Sequence, residues 1–255
     1  MNPHSPIFVS IITVSYNSVA TLADCLDSVS AQNYTSREHI VIDGASSDGT
    51  LGLLKRHSDL GFKYLSEPDY GIYDAMNKGI GCSRGDVIGF LQSDDVFASS
   101  DVLTKIAATF EDPSVCAVFG DLEYVNKVDM KLVVRKWTSR SFKDGDLEWG
   151  WMPPHPTLYV RRSWYASIQG FDSSFKISAD YLSILNFFSR REFVSKYIPL
   201  VLVKMRLGGA SNRSIGSVIR KTCEDWRALR MSKFSCLCSL KAVIGKNLRK
   251  IVQFL

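Results

Sequence analysis

The chain predicts an α/β fold: a mostly parallel sheet flanked by helices, followed by a helical C-terminal appendage. Three observations point there. Short β-branched apolar runs alternate with segments of helical period through the first half. Two of those runs stop at acidic residues, Asp43 and Asp94-Asp95. The composition, 45% hydrophobic and 22% charged over 255 residues, is that of a globular chain with enough material for a buried core. It excludes a disordered chain, a collagen and a coiled coil. No apolar run approaches the ~20 residues that span a bilayer. The opening Met1-Asn2-Pro3-His4-Ser5-Pro6 lacks the basic and apolar regions of a signal peptide, so a cytoplasmic protein is expected.

The elements follow in order. Val9-Ser10-Ile11-Ile12-Thr13-Val14 suits a buried parallel strand. Residues 19–31 place Leu22, Leu26 and Val29 on one helical face, and His39-Ile40-Val41-Ile42 forms a second strand stopped by Asp43-Gly44. Asp48-Gly49-Thr50 opens a helix carrying Leu51, Leu53 and Leu54. A third strand over 62–65, a helix over 72–80 and a fourth strand over 87–91 come next. Ser100 or Asp101 caps a helix that turns Leu103, Ile106, Ala107 and Phe110 inward, and 115–125 reads as a strand. The second half is less regular: strand character at 132–134 and 197–207, a Trp-, Gly- and Pro-rich loop over 144–157, a helix over 178–189. Residues 1–213 are expected to form the main domain and 214–255 the appendage.

Charge is unevenly spread. The net is +5, but residues 213–255 hold ten Lys/Arg and two acids, a net of +8, which leaves −3 for the rest. In the tail Leu237, Leu240, Val243/Ile244, Leu248, Ile251 and Val252 recur at helical spacing, with Lys241, Lys246, Arg249 and Lys250 between them. Such a helix either lies on an anionic membrane surface or packs on its own domain with a solvated basic face. It carries no nucleic-acid motif, and nucleic acid is not an expected partner. Six scattered cysteines lack disulfide-scaffold or zinc spacing and read as buried free thiols.

Several residues suit chemistry. Asp94 and Asp95 follow a strand that should be buried, where adjacent carboxylates are costly unless paired or metal-bound. One Asp would suffice as a helix cap for residues 96–110; two leave a surplus that a hard cation, Mg²⁺ or Mn²⁺, would take together with substrate phosphates. Asp43 stands in a loop of small residues where Gly44 and Gly49 let a ligand approach, and could accept from a base N–H. Asp48 reads as a cap. Asp74 and Lys78 are an i,i+4 ion pair or, for Lys78, a phosphate contact. His155, between prolines, is structural or functional. Asp180 either complements a helix N-terminus or serves as a general base. Neither Gly-x-Gly-x-x-Gly nor a P-loop is present.

Taken together, Ile12-Thr13-Val14-Ser15-Tyr16-Asn17, the 42–50 loop, the 67–79 stretch, Leu91-Gln92-Ser93-Asp94-Asp95, Pro154-His155-Pro156-Thr157 and Ser178-Ala179-Asp180-Tyr181 resemble the family 2 glycosyltransferases. The 67–79 stretch is similar to the branch found in bacterial colanic acid, capsule and O-antigen synthesis. The resemblance covers about residues 8–206 and implies a GT-A fold and an inverting transfer. It places Val14, Tyr16 and Asn17 in the nucleotide pocket, Asp43 on the base and Lys78 near the nucleotide, with Asp94 and His155 also on the donor side. Asp95 becomes the main ligand of Mn²⁺ or Mg²⁺, and Asp180 the catalytic base. Position 93 is Ser where the family's D-x-D motif begins with Asp, and the base motif reads Ala-Asp instead of Glu-Asp.

The implied donor is a UDP-sugar first and a GDP-sugar second. The implied acceptor is a saccharide, in particular a lipid-linked one, with the basic C-terminus at the inner face of the cytoplasmic membrane. Two alternatives were weighed. A sugar nucleotidyltransferase should carry a Gly-rich, Arg-containing loop where this chain has Ser15-Tyr16-Asn17-Ser18. A non-catalytic nucleotide-sugar-binding module would have no need to keep Asp43, Asp94, Asp95 and Asp180.

Overall fold

The structure is a computed structural model and describes residues 6–208 and 215–252. Its centre is a nine-stranded sheet. β1 (Val9–Ser15) pairs in parallel with β2 (Arg37–Asp43) and β4 (Val87–Phe90), and β2 pairs with the edge strand β3 (Lys63–Ser66). β1 is buried along its whole length, as a strand with helices on both faces must be, whereas β3 is largely exposed.

Beyond β4 the directions mix. β8 (Tyr159–Arg161) runs antiparallel to β4 and to β6 (Ala117–Val125). β9 (Ser195–Arg206) runs parallel to β6, while β5 (Asp95–Phe97) and β7 (Val133–Trp137) are antiparallel additions to β9 and β6. The sequence reading foresaw neither β5 nor β8, and it offered Asp94 and Asp95 as a possible helix cap. Asp95 instead opens β5, whose three residues are too few to show a period.

Alternation along β1 divides the core. Val9 and Ile11 face one layer with Leu22, Leu26 and Val29 of α1 (Leu22–Ser30), Leu53 and Leu54 of α2 (Thr50–Arg56), and Leu103 and Ile106 of α4 (Val102–Thr109). Ile12 and Val14 face the other layer, built on α3 (Ile72–Cys82), α5 (Arg162–Ser167) and α6 (Ala179–Phe188). That second core is dense in aromatic rings: Phe119, Trp151, Phe187, Phe188 and Phe193 pack edge to face or stacked.

The C-terminal helices α7 (Ile215–Met231) and α8 (Cys236–Val252) share this core through Ala228, Leu229 and Ala242. The domain boundary drawn near 213 falls outside the described residues. On α8, Ser239, Ala242 and Lys246 turn inward while Leu237, Leu240 and Ile244 stay at least half exposed. Lys246, expected on a basic outer face, is therefore a buried residue, because it shares an i, i+3, i+7 stripe with Ser239 and Ala242. Leu248, Ile251 and Val252 lie on α8, but their side chains are outside the described set. The cysteines are free, as expected, but only Cys25 is buried; Cys82, Cys223 and Cys236 are exposed. Among the described residues no helix is long and apolar enough to cross a membrane.

Candidate active site

Parallel pairing brings the carboxyl ends of β1, β2 and β4 to one edge, with Ser15 opposite Asp43 and Ile12 opposite Phe90. Because β8 is antiparallel to β4, the short turn His155–Thr157 before it lands on the same edge. Thr157 anchors that turn to β6, donating to the Gly120 carbonyl (3.1 Å) and accepting from its N–H (3.2 Å). An edge of this kind, beyond the carboxyl ends of parallel strands, is where open α/β sheets bind ligands.

The loops after β1 and β2 are fastened to each other. Asn17 N–H donates to Ser46 Oγ at 2.8 Å, and Ser47 N–H donates to Asn17 Oδ1 at 2.9 Å. Ser18 N–H donates to Thr50 Oγ1, and Asp48 accepts from Val19 N–H and from the first-turn residue Thr50, so Asp48 both caps α2 and ties the loops. Asn17 (φ 50°) and Ala45 (φ 59°) are held in the left-handed region, a local strain that the surrounding bonds must outweigh. Tyr16, 67% exposed, stands beside Gly44, where an added Cβ would lie 3.3 Å from its ring and against the Asp69 carboxylate. The Tyr16 ring and the Asp69 carboxylate thus pack directly against the Gly44 backbone.

Other expected donor residues are more engaged than the sequence suggested. Val14 is a core residue. Asp43 is fully buried and accepts three bonds, from Ser46 Oγ (2.5 Å), Ser46 N–H (3.0 Å) and Ser66 Oγ (2.7 Å), so it holds the loop that carries Gly44. Lys78 is committed to its own segment, bonded to Glu67 (2.8 Å), the Pro68 carbonyl (2.8 Å) and Asp74 (3.6 Å). That clasp holds the loop carrying Tyr70, which is 86% exposed. His155 is buried, stacked on Phe90 with centroids 5.9 Å apart. Burial pulls its pKa below the ordinary value against the opposing pull of Asp180.

The Ser93-Asp94-Asp95 turn joins this edge through Ser93 Oγ, which donates to Ser18 Oγ at 2.9 Å. Asp94 is partly exposed, whereas Asp95 is 1% exposed and its Oδ1 has no hydrogen-bond partner. Burial, and then the neighbouring Asp94 charge, push the Asp95 carboxyl well above the usual carboxylate range, with Arg206 pulling the other way. Arg206, on β9, donates to the Asp94 carbonyl at 3.0 Å and pairs with Asp24 of α1. Sequence reasoning missed Arg206 as a support of this turn, because 112 residues separate the partners and no local pattern joins them.

An orphaned buried carboxylate oxygen beside a second carboxylate fits a hard divalent cation. Among the described residues no three His, Cys, Asp or Glu side chains cluster into a complete cage. That suits a cation held by one or two carboxylates whose remaining ligands come from substrate phosphates.

Asp180 sits in the first turn of α6, partly exposed, and its Oδ1 accepts from Tyr181 N–H (2.8 Å) and Tyr73 O–H (3.1 Å). Tyr73 is the second residue of α3 and also donates to the Ile177 carbonyl at 2.6 Å. Burial, and then the Asp180 charge, raise the Tyr73 phenol well above its ordinary pKa, so it stays a donor. The Tyr73 phenol thus ties the α6 carboxylate to α3, and the Asp180 charge acts on the buried His155 ring. Behind it, Lys246 places its ammonium 3.3 Å from the Tyr181 ring centroid and bonds Asp225 at 2.9 Å. Burial lowers that amine to about 7 against the Asp225 charge.

A sheet with this order, and an acidic turn at the carboxyl edge, define a GT-A glycosyltransferase. The chain belongs to glycosyl transferase family 2, whose profile matches residues 10–177. The PGL/p-HBAD biosynthesis glycosyltransferase of Mycobacterium bovis is 30% identical over 214 residues, 82% of this chain and 80% of that protein. Two solved structures share the fold. One is the mannosyltransferase PcManGT of Pyrobaculum calidifontis in complex with GDP-Man and Mn²⁺ (TM-score 0.67, 17% identity, 96% of this chain and 70% of that one). The other is S. aureus TarS 1–349 in complex with UDP-GlcNAc (TM-score 0.68, 14% identity, 96% of this chain and 73% of that one).

Proposed function

We propose that this glycosyltransferase moves a sugar, with inversion, from a nucleoside-diphosphate sugar to a hydroxyl of a lipid-linked saccharide in surface polysaccharide or glycolipid synthesis. The observation that supports the reading is Asp180: a partly exposed carboxylate in the first turn of α6 that accepts from the Tyr73 phenol. Tyr16 and the Gly44 backbone receive the base, with Asp43 holding their loop in shape. UDP is the first choice, as in the TarS complex, and GDP the second, as in PcManGT.

Asp94 and Asp95 would hold Mn²⁺ or Mg²⁺. When bound, that cation offsets the charge that develops on the departing diphosphate. Asp180 accepts the proton of the acceptor hydroxyl as that oxygen attacks the anomeric carbon from the face opposite the diphosphate. A single displacement inverts the configuration, so an α-linked donor gives a β-glycoside. A panel of UDP- and GDP-sugars with Mn²⁺, read by nucleoside diphosphate release and by the anomeric coupling of the product, tests this. Retained configuration, or release that ignores the cation, would overturn it.

The C-terminal helices support a membrane-bound acceptor. Leu237, Leu240 and Ile244 form an exposed apolar stripe on α8, opposite its buried face, in a segment of net charge +8. This suits an anionic lipid surface, on the inner face of the cytoplasmic membrane. Cosedimentation with phosphatidylglycerol vesicles should fall in the triple variant Leu237→Ser, Leu240→Ser, Ile244→Ser with the melting temperature kept. Unchanged cosedimentation would assign the stripe to another role.

A further inference from the structure

The family profile ends at 177, before Asp180, and α7 and α8 lie beyond it. Yet α7 is in contact with the segment that carries the base at several points. Glu224, on α7, accepts from three successive backbone N–H groups: Lys176 (3.0 Å to Oε1), Ile177 (2.8 Å to Oε2) and Ser178 (3.0 Å to Oε2). Ser178 is the N-cap of α6, where the helix leaves N–H groups without intrahelical partners, and its own side chain forms no capping bond. An anion there also meets the positive end of the helix dipole.

Two further ties run in parallel. Arg227, one turn on from Glu224, donates to Ser174 Oγ at 2.8 Å and stacks its guanidinium 4.4 Å from the Phe175 centroid. Asp225 is buried between Lys221 (2.8 Å) and Lys246 (2.9 Å), and Lys246 in turn lies over Tyr181, the residue after Asp180. On the other side, Tyr73 holds the Ile177 carbonyl and Asp180, and Lys176 Nζ donates to the Tyr70 carbonyl of the exposed donor-side loop at 3.2 Å. Residues 174–181 are thus stretched between the donor edge and α7.

We infer that Glu224 is a positioning residue for the transfer: it fixes the backbone that aims the Asp180 carboxylate at the acceptor hydroxyl, making the C-terminal helix pair part of the catalytic apparatus. The inference rests on the reading of Asp180 as the base. The physical argument is one of leverage. Asp180 lies two residues beyond the last N–H that Glu224 holds, and misplacing a reacting group by about 1 Å can cost on the order of 100-fold in rate. The hydrogen bonds of Glu224 go to residues 176–178, and the loops after β1 and β2 are held to each other by their own, so donor binding should not depend on it.

The test compares Glu224→Ala, Glu224→Gln and Asp180→Asn in the full-length protein. Glu224→Ala is expected to lower kcat for nucleoside diphosphate release from the donor panel by about 10- to 100-fold. The donor KM, and the thermal shift given by UDP with Mn²⁺, should stay within about two-fold of wild type. Glu224→Gln keeps one acceptor oxygen, and is expected to restore kcat to about two- to five-fold below wild type. Hydrogen exchange should quicken at the 176–178 amides in Glu224→Ala and little elsewhere.

A wild-type kcat in Glu224→Ala, or unchanged exchange at those amides, overturns the inference. So does a loss in which kcat, KM and melting temperature move together and Glu224→Gln rescues nothing. If Glu224→Ala does not fold, Glu224→Gln decides: a several-fold lower kcat at unchanged donor KM supports the inference, and a wild-type kcat overturns it. Turnover retained by Asp180→Asn would instead remove the reading beneath it, a result that the Glu224 variants do not produce.

Discussion

The edge proposed to bind the donor and the segment proposed to bear the base are held by different means. The loops after β1 and β2 are fastened to each other by short polar residues that lie within them: Asn17, Ser18, Ser46, Asp48 and Thr50. The segment before α6 has such an internal bond at its start, Ser174 N–H to Asp172 Oδ1 at 2.9 Å. It is otherwise held by Tyr73, more than a hundred residues upstream, and by Glu224 and Arg227 downstream. The first arrangement makes a self-contained loop pair. The second leaves the position of the Asp180 carboxylate to parts of the fold that lie on either side of it, so the two proposed functions can be damaged separately.

The largest expected effect separates them outright. Asp180→Asn should lower turnover by about 10²- to 10⁴-fold, the usual contribution of a positioned general base, while the thermal stabilisation by UDP with Mn²⁺ stays that of the wild type. Loss of that stabilisation as well would mean that the two regions are one site energetically. Asp95→Asn should do the reverse. The Mn²⁺-dependent part of UDP stabilisation disappears, and turnover with it. The ligand-free melting temperature holds or rises, because the change removes a buried ionisable carboxyl that stands beside the Asp94 charge. A wild-type response to Mn²⁺ in this variant would assign the cation to other side chains.

The smallest effect is on stability and belongs to the donor half. His39, buried on β2 with Nε2 2.9 Å from Thr13 Oγ1, has its pKa lowered to about 3, chiefly by burial and then by Arg37. The folded form therefore refuses a proton that the unfolded chain accepts near 6.5, and stability falls as pH drops from 6.5 towards 3. Between pH 6.5 and 5 this amounts to at most about 2 kcal/mol. His155, also lowered by burial, adds to the same trend. Urea unfolding at pH 7.5 and 5.0 measures it, and His39→Gln should flatten the dependence. An unchanged slope in that variant would place the acid sensitivity in the other half.

The parts legible in the sequence were those written in short stretches. The runs at β1, β2 and β4 carry the β-branched pattern of buried strands, and Asp43, Asp94, Asp95 and Asp180 stand at their ends or at a helix start. The placement of Asp43 and of the turn after β4 on one edge follows from parallel pairing. The strands β5 and β8, three residues each, were not legible, because so few residues show no period. Lys78 and Val14 illustrate a different limit. A motif marks them as part of the site, but the fold commits Lys78 to Glu67 and Asp74 and Val14 to the core. Asp69, Arg206 and Glu224 carry no local signal.

Sequence alone determined the layer architecture, the acidic strand ends and the basic character of the tail, because these depend on periodicity and charge within a few residues. The tertiary structure decided that Asp95 is sealed while Asp94 is partly open, that Lys246 turns inward beneath α6, and that Glu224 closes on three N–H groups of a segment some fifty residues away. The reason is that burial and hydrogen-bond satisfaction belong to the assembled layers: a carboxylate gains a partner, or lacks one, only when distant backbone is packed against it.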